Sequence, residues 1–101
     1  MKPNQRQALE RLIAIAKRDT GQCRRVANFL LSWWNVHKYG AWCTTDLWSL
    51  DDAIAEDIFI VLRLIKEQSI YPDDLGYEGD FQEIRRQWRP EFYIAETEEK
   101  E

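Results

Sequence analysis

The stretch "ANFLLSWWNVHKYGAWCTTDLW", residues 27–48, holds four of the five tryptophans, the single histidine and one of the two cysteines of a 101-residue chain. Taken with the residues before it, it divides into a helix and a loop. Val26, Leu30, Trp33 and Trp34 recur at helical spacing, with Phe29 and Cys23 beside them, so a helix is expected over 22–36. An apolar arc this wide needs cover on more than one side, which makes this helix the expected centre of the core. "HKYGAWCTT", 37–45, breaks the period, and Gly40 marks a turn.

The flanks continue the helical pattern. Residues 4–18 place Leu9, Leu12, Ile13 and Ala16 on one face, with Asn4 as the expected cap, and "DTG" at 19–21 supplies a stop and a short antiparallel connection. Ser49 and Asp52 have the spacing of a capping box for a helix over 50–68, lined by Ile54, Ile58, Val61, Leu62 and Ile65 and widened by Phe59. "YPDDLGYEGD", 71–80, is dense in turn formers. Asp80 and Glu83 form another capping pair for a helix over 80–88, in which Phe81, Ile84 and Trp88 share a face. The expectation is an all-α fold: one compact domain, 1–94, of about four helices, followed by a disordered acidic tail, 95–101.

Bulk composition agrees with that class. The chain is 45% apolar and 13% aromatic, with only four glycines and three prolines, which favours helices over a turn-rich sandwich. No run approaches the ~20 apolar residues needed to span a bilayer. The start "MKPNQRQALERL" lacks a secretory apolar run, so a cytoplasmic protein without membrane contact is expected. In a reducing compartment Cys23 and Cys43 read as free thiols. Charge is divided: residues 1–40 carry eight basic and two acidic side chains, while 41–101 carry six basic and sixteen acidic. In a chain this small the first use of such a division is to draw its own halves together.

Candidate chemistry is sparse. His37, Cys43 and Asp46 are the residue types of a nucleophile, base and orienter, but six loop residues between His37 and Cys43 give no defined geometry. Three nitrogen or sulfur candidates, His37, Cys23 and Cys43, fall short of a four-ligand structural zinc site. Neighbouring carboxylates such as Asp51/Asp52, Glu56/Asp57 and Asp73/Asp74 read as capping or solvated groups. No cofactor, metal or catalytic residue is expected. Arg18, Arg24 and Arg25 surround a helix start, and Arg85, Arg86 and Arg89 surround Trp88, a pattern that grips nucleic acid. A pI near 5.0 opposes that use, because affinity for phosphates rests on neutralising many of them.

The tryptophans are expected mainly in the core. Adjacent Trp33 and Trp34 diverge by about 100° on a helix, so one should meet the first helix and the other the third. Trp48 is expected to be buried. Trp42, beside Tyr39 in the loop, is the least constrained, and an exposed Tyr39–Trp42 pair would form an interaction hot spot.

Four stretches, "RDTGQCRRVANFLLSWWN", "TDLWSLDDAIAEDI", "YPDDLGY" and "RQWRPEF", together resemble a small uncharacterised bacterial family of about 100 residues. The likeness covers roughly residues 11–92, and members of that family are often carried on plasmids and integrative mobile elements. The resemblance implies no activity, cofactor or catalytic residue; it implies an accessory role, such as contact with a host or defence complex. Around "VHKYGAW" the chain departs from the shorter glycine-rich turn of that family. The leading expectation is therefore a non-enzymatic protein-binding domain using Tyr39, Trp42, Asp73, Asp74, Glu78 and Asp80. The nucleic-acid alternative uses Arg18, Arg24, Arg25, Arg85, Arg86 and Arg89. A Cys43 or His37 enzyme is the remote third reading, and a homo-dimer follows if one helix face stays apolar and uncovered.

Overall fold

Lys2 and Pro3 start the first helix of the computed structural model, which describes residues 1–92. Proline suits the first helical position because its missing N–H would have no partner there. Gln5 closes the end by accepting the Lys2 amide at 3.0 Å, so the cap is at Lys2 and not at Asn4. The helices are α1 (Pro3–Ala16), α2 (Gly21–Tyr39), α3 (Asp52–Gln68) and α4 (Glu78–Trp88), with 3₁₀ turns at Thr44–Ser49 and Pro72–Leu75. The described residues contain no strand, and none of their helices is long and apolar enough to cross a membrane. The fold is all-α, as the periodicity implies. The expected acidic tail, 95–101, and the domain end at 94 lie outside the described residues.

The centre of the core is α1, not α2: α1 packs against all three other helices, whereas α2 leans chiefly on α1 and α4. Ala8 and Ala16 are fully buried, and such small side chains let neighbouring helices approach closely on several sides. Leu9 and Leu12 fill the space between, opposite Ile58, Val61 and Leu64 of α3. Phe59, expected to widen the inner face of α3, is instead half-exposed.

Two expected capping pairs serve other purposes. Ser49 is the last residue of the 3₁₀ turn, so α3 is capped at Asp51, whose amide donates to Gln22 Oε1 at 2.7 Å while Gln22 Nε2 returns a bond to its carboxylate at 3.3 Å. Asp80 and Glu83 lie inside α4 and both bind Lys17, at 2.7 and 3.0 Å. The divided charge thus draws the halves together. Arg11 grips Asp57 with two 2.8 Å bonds, and Lys2 and Arg25 face Glu67 and Asp46 at 3.7 and 3.9 Å.

The helix expected to stop at 36 breaks one residue earlier. Asn35 takes an extended backbone (φ −162°, ψ 92°), and its Oδ1 accepts the Lys38 amide at 3.1 Å, so it acts as the N-cap of a last turn that ends at Tyr39. Gly40 then sits at φ 97°, a conformation that excludes side-chain-bearing residues.

Candidate functional site

The break at Asn35 opens a groove of about 500 Å³ between the end of α2 and the 3₁₀ turn at 72–75. Trp33, Trp34, Tyr39 and Tyr71 supply its rings, Asp73 and Asp74 its carboxylates, and His37 lies on the α2 wall. Both walls are held from behind. Trp33 donates its indole N–H to the Ile70 carbonyl at 3.0 Å, fastening the Tyr71–Asp74 segment to α2. Phe81, fully buried on α4, presents edge-on contacts to Trp33 and Trp34 at 5.9 and 5.8 Å. Both indoles therefore meet α4, which corrects the expectation that they divide between α1 and α3. Their distribution follows from Phe81, whose ring is wide enough to touch two successive residues of α2.

Tyr39 is buried at 6% exposure, so the expected surface pair with Trp42 does not exist. Its ring stacks on Trp34 at 5.4 Å and meets Phe92 edge-on at the same distance. Its hydroxyl accepts from Arg85 Nη1 at 3.1 Å, and its carbonyl accepts from Arg89 Nε at 3.1 Å. Trp42 is half-buried, edge-on to Phe29 at 5.0 Å, with its indole N–H shielded from solvent and unbonded among the described residues. The exposed indole is Trp48, at 85%, where a core residue was expected. Trp48 stands within the Thr44–Ser49 3₁₀ turn, where no 3.6-residue periodicity signals which way a ring faces.

The acidic candidates separate. Asp73 and Asp74 line the groove and make no side-chain hydrogen bond or ion pair among the described residues. Asp80 binds Lys17 and Glu78 accepts from Gln82 at 3.4 Å, and neither lines the groove. The cationic group near the groove is Lys38, with its ammonium over the rings of Tyr39 and Phe92 at 5.7 and 5.6 Å.

The arginine clusters also separate. Arg85 reaches Tyr39 and lies over Trp34 at 5.6 Å, while Arg89 binds the Tyr39 carbonyl, the Trp88 carbonyl and Asn28 Oδ1. Arg25 faces Asp46. Arg18, Arg24 and Arg86 are exposed. A continuous six-arginine surface is therefore not formed: Arg25, Arg85, Arg86 and Arg89 each engage another group of the chain.

His37 lines the groove, whereas Cys43 is exposed with Sγ 3.0 Å from the Thr45 hydroxyl. That hydrogen bond lowers the Cys43 thiol below its ordinary value by favouring the thiolate. With Asp46 facing Arg25, the hydrogen bonds of the described residues do not join histidine, thiol and carboxylate. Among the described residues no three or more His, Cys, Asp or Glu side chains gather as metal ligands.

Trp33, Trp34 and Tyr71 are the aromatic groove residues that sequence reasoning left out of the site. The available signal was "WWN" followed by a broken period, with "YPDD" as the opposite wall. No curated protein and no solved structure matches the chain. A model described as a family of unknown function, DUF7673, matches residues 6–89, and the chain belongs to that family.

Proposed function

We propose that this chain is a non-enzymatic protein-binding accessory domain whose groove at the α2 break receives a positively charged segment of its partner. The observation that carries the reading is the pairing of two unbonded carboxylates, Asp73 and Asp74, with the rings of Trp33, Trp34 and Tyr71 in one recess. A guanidinium or ammonium placed there meets opposite charge and aromatic faces together. A cation over a ring gains about 0.5–2 kcal/mol depending on how dry the contact is. The recess is open to water, so the charge attraction is screened and binding is sensitive to salt. Tyr71, at 60% exposure, is the ring most available to a partner. Carriage on mobile DNA, cytoplasmic location and action on a host or defence complex fit such an accessory domain and belong to this proposal.

Titration of an acetylated, amidated tetra-arginine peptide, followed by tryptophan emission and calorimetry, tests the reading. Weak binding that falls at least tenfold in Asp73→Asn/Asp74→Asn, and falls again with added salt, is the expected result. Equal affinity of the wild type and the double variant would remove the groove from consideration. Preferential binding of a single-stranded oligonucleotide, lost on replacing Arg18, Arg24 and Arg86, would transfer the function to the arginines instead.

A further inference from the structure

Beside the groove at the α2 break lies a second, smaller recess of about 240 Å³, lined by Trp33, Ile65, Ser69, Ile70 and Tyr71. Trp33 and Tyr71 line both, so the two recesses share a wall. The end of α3 builds the second one. Ser69 takes a left-handed backbone (φ 49°, ψ 48°), and its amide donates to the Ile65 carbonyl at 3.0 Å, which stops the helix and brings Ile65 and Ile70 to the same recess. The Ile70 carbonyl is held by the Trp33 indole at 3.0 Å, which fixes the shared wall. Ile65 and Ile70 are only half-buried, and Tyr71 stands 60% exposed.

We propose that the cationic segment received by the first groove carries an aliphatic side chain two positions from its basic residue, and that this side chain enters the recess of Ile65 and Ile70. The inference rests on the cation reading of the first groove and specifies the partner that fits it. The two recesses divide the chemistry: Asp73 and Asp74 line the first, while the described lining of the second carries no charge. Volume decides the kind of occupant. At about 240 Å³ the second recess falls below the ~300–1,000 Å³ of sites that enclose a free ligand, and it suits one side chain delivered by a segment already held next to it. An extended backbone makes that delivery, because side chains i and i+2 point the same way about 6.5 Å apart while i+1 points away. The intervening residue then passes over Tyr71, the exposed ring of the shared wall.

Burial sets the size of the effect. Fully enclosing a leucine side chain strengthens binding by roughly ten- to a hundredfold. The recess is open to solvent, and covering about half of the side chain gives roughly four- to tenfold. That gain adds to the cation contact only when one segment spans both recesses, so it depends on spacing and not on composition.

Acetylated, amidated peptides test the spacing: Ala-Ala-Arg-Ala-Ala, Leu-Ala-Arg-Ala-Leu and its isomer Ala-Leu-Arg-Leu-Ala. Leucines on both sides remove any dependence on chain direction, and the two isomers share charge and composition. Titration of the full chain followed by amide chemical shifts should show Leu-Ala-Arg-Ala-Leu binding roughly four- to tenfold more tightly than the other two. The amides of Ile65, Ser69 and Ile70 should shift for that peptide alone. Ile65→Phe fills the recess and should bring the two isomers to one affinity; Ile70→Phe fills it from the segment after α3 and repeats the test if the first variant unfolds. Asp73→Asn/Asp74→Asn should weaken all three peptides. Equal affinity of the isomers for the wild type, or a leucine gain that survives in a folded Ile65→Phe or Ile70→Phe, overturns the proposal and leaves the cation reading standing. Leu-Ala-Gln-Ala-Leu bound as tightly as its arginine counterpart gives the recess to an uncharged partner and overturns it as well. Affinities unchanged in Asp73→Asn/Asp74→Asn remove the cation reading, and this inference with it.

Discussion

Arg89→Met is the sharpest test of how this molecule uses its arginines. Methionine keeps an apolar stem of similar reach and deletes three donor contacts: Nε to the Tyr39 carbonyl at 3.1 Å, Nη2 to Asn28 Oδ1 at 2.8 Å and Nη1 to the Trp88 carbonyl at 2.9 Å. The third is to a neighbouring residue and is readily replaced by water. The first two join the end of α4 to two separate turns of α2. A hydrogen bond from a charged donor contributes about 1.5–3 kcal/mol when well buried, and at a half-buried arginine about 1 kcal/mol apiece is the appropriate figure. The loss is then about 2 kcal/mol. With ~4–8 °C per kcal/mol for a domain of this size, the variant should melt roughly 8–16 °C below wild type. Urea and thermal unfolding followed by far-UV circular dichroism give that quantity. Amide exchange supplies the location: protection at 36–40 should fall first, with α1 and α3 following only through the global opening. An Asn28→Ala/Arg89→Met cycle should show a coupling of about 1 kcal/mol. A stability within ~0.5 kcal/mol of wild type, with unchanged exchange at 36–40, would refute the structural role and return Arg89 to the surface.

Three further outcomes follow from other parts of the core and surface. Phe81→Ala removes a fully buried ring that touches Trp33 and Trp34, and should cost ~3–5 kcal/mol and alter the near-UV spectrum; a loss under ~1.5 kcal/mol would mean that the two indoles do not depend on it. Lys17 is held above its ordinary value by its hydrogen bonds to Asp80 and then Glu83. Because the folded value is the higher one, that stabilisation is complete below the ordinary lysine range and is lost as pH rises through the raised value. Lys17→Met should therefore be less stable at neutral pH but decline less steeply in alkali, whereas parallel urea midpoints from pH ~8 to ~12 would contradict the linkage. Tyr77, raised mainly by burial, titrates in both proteins and cancels in the comparison. Exposed Cys43 should be alkylated at neutral pH, with buried Cys23 reacting only on unfolding; Thr45→Val should raise the Cys43 thiol and slow its reaction, and an unchanged rate–pH profile would dismiss the hydrogen bond as its cause.

Four helices were legible in residues 1–92 because each buries one stripe, and a stripe of 3.6-residue period can be read within a single segment. Leu9 and Leu12, or Ile58 and Val61, announce their own burial by spacing alone. The drawing together of a basic half and an acidic half was legible for a related reason: net charge is additive along the chain. The site was not legible in that way. Asp73 and Asp74 were identified, but Tyr39 was placed on the surface and Trp33 and Trp34 wholly in the core. Those assignments depend on Phe81, Arg85 and Arg89, residues some forty to sixty positions away. Likewise, an arginine cluster has the same composition whether its guanidiniums face solvent or a carbonyl.

The sequence by itself therefore determined the class of fold and the approximate course of its helices, since both rest on periodicity and composition. Only the tertiary structure decided which helix is central, which indole faces water and where a groove opens. Those depend on which distant side chains meet, and burial of a ring or a charge is settled by its partners and not by its neighbours in the chain.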